Sequence, residues 1–378
     1  MIYLDQAASS HPKPPEVYRA AAEALELGAN PGRSGHRRAL EAARRIHGAR
    51  EAVARLFGVA DPARIVFTLN GTHALNQALK GVLRPGDHVV TSVMEHNSVL
   101  RPLAALERKG VSVTRVGADA QGRVRAAEIE KAIRPETRLV ALVHASNVSG
   151  TLQPAAEVGE LCRKKGIVFL LDAAQTAGVV PIAVEDLGCH LLAAPGHKGL
   201  LGPQGTGVLY VHPDLELEPL LDGGTGTRSE EPRMPAEMPE ALEGGTLNTP
   251  GIAGLGAGVE WLLGRGVEAV RRHEEEILGV LLPELRRIPG LVLYGPEDPA
   301  ERVAVVSFNL EGRDGAHVGF ALDELHGIAV RVGLHCAPLA HKALGSFPAG
   351  SVRASFGAMN SLADAEALVR ALREIARL

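Results

Sequence analysis

Only three cysteines, Cys162, Cys189 and Cys336, occur in the 378 residues, widely spaced and with no C-x-x-C pair. That argues against a disulfide framework or a structural zinc site, so a cysteine that matters here acts alone. No uninterrupted apolar segment reaches the length needed to span a bilayer. The opening "MIYLDQAASSHPKPPE" lacks the charged start and apolar core of a secretory signal, and a soluble cytoplasmic protein is the expectation. A net charge of −4, with both signs spread along the chain, leaves no basic face for nucleic acid and no polybasic run for a lipid surface. Internal repeats and low-complexity tracts are also missing. The segment "GPQGTGVLY" is no nucleotide phosphate loop, because it lacks the G-x-x-x-x-G-K-[ST] order and a following helix.

What is there is ample apolar content, 46%, enough for a large core. From about residue 63 to 211, strand-like runs such as "RIVFTL", "DHVVTSV", "RLVALVHAS" and "IVFLLDAAQ" alternate with helical patterns of about ten residues. That alternation predicts an α/β fold, a mostly parallel sheet sandwiched by helices. Residues 218–250, rich in Gly, Pro, Glu and Thr, read as a long excursion of the kind that carries binding residues. A long helical pattern over 251–288 and a further mix of strands and helices follow. The expected division is a large domain over 15–250 and a smaller α+β domain from 1–14 plus 251–378.

In an open parallel sheet, ligands bind beyond the carboxyl ends of the strands. Four strand-like runs end in polar residues: "NGTH" after one, "EHNS" after the next, "HASNVSGT" and "DAAQ" after two more. Gly71 and Thr72 open a helix and suit a phosphate, although Thr72 equally suits the cap of that helix. Asp172 at the end of a buried strand needs a partner, either a protonated heterocyclic nitrogen or the N–H groups it would cap. Lys198 sits in the apolar, glycine-rich "LLAAPGHKGLLGPQGTGVLYV", where desolvation would lower its pKa and leave an amine able to form a Schiff base. Together with an aromatic ring such as His96 these residues describe a site for a phosphorylated pyridine aldehyde, and pyridoxal 5'-phosphate is the cofactor that uses all of them.

The motifs "YLDQAAS", "NPGRSGH", "NGTHALN", "EHNSV", "HASNVSGT", "DAAQ", "GHK", "EGGTLNTPG", "RVGLHCA" and "VRASFG" follow one another along the whole chain. In this order and at these intervals they resemble the class V aminotransferase family of fold type I pyridoxal-phosphate enzymes, most closely its cysteine desulfurases and selenocysteine lyases. The resemblance implies that Lys198 holds the cofactor aldehyde, Asp172 the pyridine nitrogen and Gln175 the ring oxygen, with His96 stacked on the ring. It implies that Gly71, Thr72 and His197 hold the phosphate, and that Thr246 reaches the phosphate of a second subunit in a homodimer. Asn147 and Arg353, with Arg331 and His335 nearby, are assigned to the substrate. Three positions depart from the desulfurase pattern: Pro195 replaces a serine, Gln6 an asparagine, and Leu334 one of two histidines.

Cys336 decides which of the family's reactions is expected. In "RVGLHCAPLAHKALG" it stands among glycine, proline and histidine, where His335 and nearby cations would favour the nucleophilic thiolate. The resemblance then implies a desulfurase that converts L-cysteine to L-alanine and passes a persulfide from Cys336 to a sulfur-acceptor protein. The short Arg331–Cys336 spacing matches the branch with a short, ordered cysteine loop. The alternatives are a selenocysteine lyase, another class V aminotransferase or lyase in which Cys336 is a bystander, and a non-catalytic binding protein that keeps the fold.

Overall fold

The computed structural model describes residues 1–31 and 35–377. Gly32, Arg33 and Ser34 of the "NPGRSGH" motif lie outside the described residues. The expected α/β architecture is present. A seven-stranded sheet has the spatial order Ile65–Thr68, Gly207–Val211, Leu191–Pro195, Val168–Asp172, Thr137–Val143, His88–Ser92, Ser112–Val116. Gly207–Val211 alone runs antiparallel to its neighbours, and the remaining pairings are parallel. Nearly every residue of the central strands is buried, because helices cover both faces; that is why these segments read as continuous apolar runs.

Parallel strands share one carboxyl edge. Thr68, Ser92, Val143, Asp172 and Pro195 therefore end on the same rim, with Val143 in register with Asp172 and Asp172 with Ala193. The helix Gly71–Val82 starts directly above Pro195. A Cβ at position 71 would sit 3.2 Å from Pro195 Cδ, so Gly71 allows the helix N-terminus to approach the strand end.

A second, antiparallel sheet of four strands, ordered Arg331–Gly333, Ser351–Ser355, Val305–Leu310, Leu291–Tyr294, forms the smaller unit. Helices Val267–Arg286, Gly315–His326 and Leu362–Arg377 supply its core together with Leu4. The N-terminus is stitched to it: Ile2–Tyr3 pairs with Ile328–Ala329, and Ser355 N donates to the Leu4 carbonyl at 2.7 Å.

The pattern over 251–288 is two helices, Thr249–Arg265 and Val267–Arg286. Gly266, at φ 83°, leaves helical geometry and separates them. The first helix buries Ile252, Leu255, Val259 and Leu262 in the core of the large sheet.

The excursion has no regular secondary structure over 218–248, and it is anchored by a buried ion pair. Arg50 NH1 and NH2 donate to Glu243 Oε1 and Oε2 at 2.8 and 2.9 Å, and Phe67 N donates to Oε1 at 2.6 Å. Both side chains are less than one-tenth exposed. Removing one partner strands the other charge, so Glu243→Ala is expected to lower the unfolding free energy by about 3–5 kcal/mol. Glu243→Leu, which also leaves Arg50 unpaired, is expected to do the same in chemical denaturation, whereas Arg50→Met/Glu243→Leu is expected to recover much of the loss.

Candidate active site

The rim opens into a cavity of ≈ 210 Å³ between the two sheets. Gly71, Thr72, His96, Asn147, Asp172, Gln175, His197, Lys198, Arg331, His335, Cys336 and Arg353 all line it. Twelve of the thirteen site positions read from the sequence thus meet in one place. Thr246 does not line this cavity; it is exposed and borders a separate depression with His47, Arg50 and Glu243.

One side of the cavity presents a helix N-terminus. Asn70, not Thr72, caps the helix Gly71–Val82, its Oδ1 accepting from His73 N at 2.9 Å. Thr72 is exposed, which leaves its hydroxyl and the first N–H groups of the helix facing the cavity, at the positive end of the macrodipole. His197 faces the same region, and its Nδ1 is buried without a partner among the described residues. Its carbonyl accepts from Ser10 N at 2.8 Å, so the N-terminal segment holds this turn from outside. Gln6 works in that support, clasping the His11 backbone and Asn360.

The floor carries the titratable groups. Asp172 is 2% exposed, and its Oδ1 accepts only from Ala174 N at 3.0 Å; burial raises its pKa, opposed by that bond and by Lys198. Burial lowers the Lys198 ammonium to about 8, against the pull of Asp172. Gln175 Nε2 donates to the Ala7 carbonyl at 3.2 Å. His96 caps the helix Asn97–Glu107, Nδ1 accepting from Ser98 N at 3.0 Å, and burial with Lys198 nearby lowers it to about 4. Its ring is therefore neutral at physiological pH.

Facing the floor are the small-domain residues. Arg331 and Arg353 are register partners on adjacent strands. Arg353 is 2% exposed: NH1 donates to the Asn147 carbonyl at 3.0 Å, NH2 to Asp5 Oδ1 at 2.8 Å, and Nε has no partner among the described residues. Asn147 Nδ2 donates to the His335 carbonyl at 2.7 Å, and Asn97 N to the Cys336 carbonyl at 2.8 Å. These two bonds pin a strained turn, since His335 and Cys336 both have positive φ, 48° and 57°.

His335, expected to favour the Cys336 thiolate alongside nearby cations, is itself held uncharged. Its Nε2 donates to the Ser351 carbonyl at 3.1 Å, and burial, with Arg353 nearby, pushes it down to about 2. The ring is a neutral post for the turn. The guanidinium groups of Arg331 and Arg353 line the same cavity as Cys336. Asp5 is the residue that sequence reading passed over, although an acid after the apolar "MIYL" at the chain start was its signal.

The model of the family described as aminotransferase class-V matches residues 2–368. The chain belongs to that family. Among class-V relatives, a "Probable cysteine desulfurase" of Methanothermobacter thermautotrophicus is 40% identical over 99% of this chain and 94% of its own. A "Cysteine desulfurase" of Pectobacterium atrosepticum is 34% identical over 100% of this chain and 94% of its own. Of solved class-V structures, the apo cysteine desulfurase from Thermococcus onnurineus superposes with a TM-score of 0.93 at 34% identity, covering 100% of this chain and 94% of that one. The cysteine desulfurase CsdA from Escherichia coli gives 0.88 at 30% identity, over 99% and 94%.

Of the three thiols in this class-V chain, Cys336 is exposed, while Cys162 and Cys189 are buried and pushed up to about 12 by that burial. A water-soluble thiol reagent at pH 7.5 is therefore expected to label one cysteine per folded chain, mapping to Cys336 by peptide mass. Labelling of Cys162 or Cys189 at a comparable rate would contradict the packing described.

Proposed function

We propose that the chain is a pyridoxal-phosphate-dependent cysteine desulfurase that converts L-cysteine to L-alanine. The observation that carries this reading is an exposed thiol, Cys336, on a pinned turn across the same cavity as Lys198 and Arg353. The family's other reactions need no thiol at that place.

The cavity fits the cofactor. The helix N-terminus at Gly71 and Thr72, with the unpartnered His197 Nδ1, suits its phosphate; Asp172 suits the protonated ring nitrogen, and Lys198 the aldehyde. Gln175 would donate to the ring oxygen and neutral His96 would stack on the ring. Pro195, in place of a phosphate-binding serine, leaves more of the phosphate to the helix and Thr72. When bound, the cofactor supplies an electron-withdrawing ring that makes the substrate's Cα–H acidic.

The remaining chemistry belongs to the chain. Arg353 receives the substrate carboxylate through Nε–H and a remaining N–H, a planar two-bond fit that turns the single Cα–H toward Lys198. Asn147, whose Nδ2 carries a second N–H beyond the one given to the His335 carbonyl, and Arg331 complete that end. Lys198 Nζ, with a pKa lowered by burial to about 8, removes the Cα proton and returns one later. Cys336 Sγ, as thiolate, bonds to the substrate sulfur while the C–S bond breaks. The electron pair of that bond stays on Cβ, which takes up a proton; the products are alanine and a persulfide on Cys336. Because that sulfur lies at an exposed position on a short turn, a separate acceptor protein collects it.

The reading extends to assembly and location. Thr246, exposed and outside its own cavity, is proposed to serve the cavity of a second copy, giving a homodimer with two shared sites. No helix among the described residues is long and apolar enough to cross a membrane, which agrees with the proposed cytoplasmic location.

Cys336→Ala is expected to abolish alanine release from L-cysteine while leaving cofactor content and melting temperature unchanged. Undiminished alanine release per folded chain would sink the desulfurase reading. Uptake of pyridoxal phosphate by the cofactor-free protein, followed by absorbance, is expected to speed up with pH by about tenfold per unit and to level off above about 8, because only the neutral Lys198 amine captures an aldehyde. Lys198→Ala is expected to lose that uptake signal; an unchanged signal would remove Lys198 from its role.

A further inference from the structure

We infer that Asp5 is a positioning residue for the substrate carboxylate, acting through Arg353. This rests on the reading of the cavity as an amino-acid site. Three observations carry it.

The first is the hydrogen bonding of Arg353. One N–H of NH1 goes to the Asn147 carbonyl and one of NH2 to Asp5 Oδ1, while Nε–H is buried and unpartnered and the fork lines the cavity. A guanidinium has five N–H donors in a rigid plane, so fixing two of them fixes where the others aim. Asp5 and the Asn147 carbonyl hold the fork from behind and leave Nε–H for an incoming carboxylate.

The second is charge. Arg331 and Arg353 face each other in register across two strands, and like charges so placed repel. Asp5, whose side chain is 21% exposed against 2% for Arg353, is ion-paired with the Arg353 member of this pair. It cancels one of the two positive charges and leaves the cavity wall balanced by a single substrate carboxylate.

The third is the rigidity of Asp5 itself. Its carbonyl accepts from Ala8 N at 3.0 Å, and Ala7 N donates to Ser355 Oγ at 2.9 Å, two residues along the strand from Arg353. The Leu4 and Ser355 backbones are bonded as described above, so donor and acceptor ride on one stitched unit. The ordering of Arg353 is thus complete before substrate arrives, which favours binding.

The test compares L-cysteine with cysteamine, the same thiol and amine without the carboxylate, on the cofactor-loaded protein. Asp5→Ala is expected to raise KM for L-cysteine by about tenfold, the size expected for loss of one charge-assisted hydrogen bond, with kcat changed less than about threefold. Asp5→Asn, which keeps an oxygen acceptor but not the charge, is expected to fall between the wild type and Asp5→Ala. The inhibition constant of cysteamine is expected to be the same in all three proteins, because no carboxylate engages Arg353. Melting curves accompany each variant, and if Asp5→Ala does not fold, Asp5→Asn carries the comparison. An unchanged KM for L-cysteine, or an equal loss for L-cysteine and cysteamine, overturns the assignment while the wild-type turnover stands. A wild type that makes no alanine from L-cysteine overturns the desulfurase reading first, and the assignment with it.

Discussion

A parallel sheet covered on both faces leaves its polar residues one place to go, the edge where the strands end. Five strands here stop on one rim, and the residues just beyond them cannot return into the apolar layers without losing their hydrogen bonds. The helix N-terminus at Gly71, the His96 cap, the "HASNVSGT" turn, Asp172 and the Gly196–Lys198 turn are consequences of that one constraint. The small domain's contribution depends on it as well, since Arg353 NH1 is held by the carbonyl of Asn147, a rim residue.

The cavity that results is electrically selective. Burial moves every nearby base toward its neutral form: Lys198 to about 8, His96 and His197 to about 4, His335 to about 2. Guanidinium groups keep their charge under the same pressure, because their intrinsic pKa is so high. In the proposed reading, charged anion contacts therefore fall to Arg353, Arg331 and the helix N-terminus, with His197 adding a neutral N–H, while His96 and His335 serve as a neutral ring and a neutral post. Lys198 lies between these extremes, as an amine that can both hold and release a proton.

Much of this was readable from the chain. The alternation of apolar runs and helical patterns announced the sheet, and polar residues after those runs marked the rim before any contact was known. The reading weakened where local pattern and tertiary context diverge. Thr72 looked equally like a cap until Asn70 took that task. Gly266 inside a long helical pattern was not read as a break, because helical periodicity resumes after it in a helix that packs into a different core. The charge state of His335 was not legible, because a sequence does not show desolvation. Asp5 lay within the "YLDQAAS" motif, but nothing local gave it a partner until Arg353 arrived beside it from 348 residues away.

The sequence by itself determined the elements, the strand ends and the kinds of side chain placed there, since periodicity of two and of 3.6 and the chemistry of turns are local properties. It also determined the family, through motifs spread along the whole length. Only the tertiary structure decided which of those side chains share a cavity, which are neutral, and which nitrogen atoms of Arg353 remain free. Those outcomes depend on distance and water exclusion between segments far apart in the chain, and neither quantity is written in any one stretch of it.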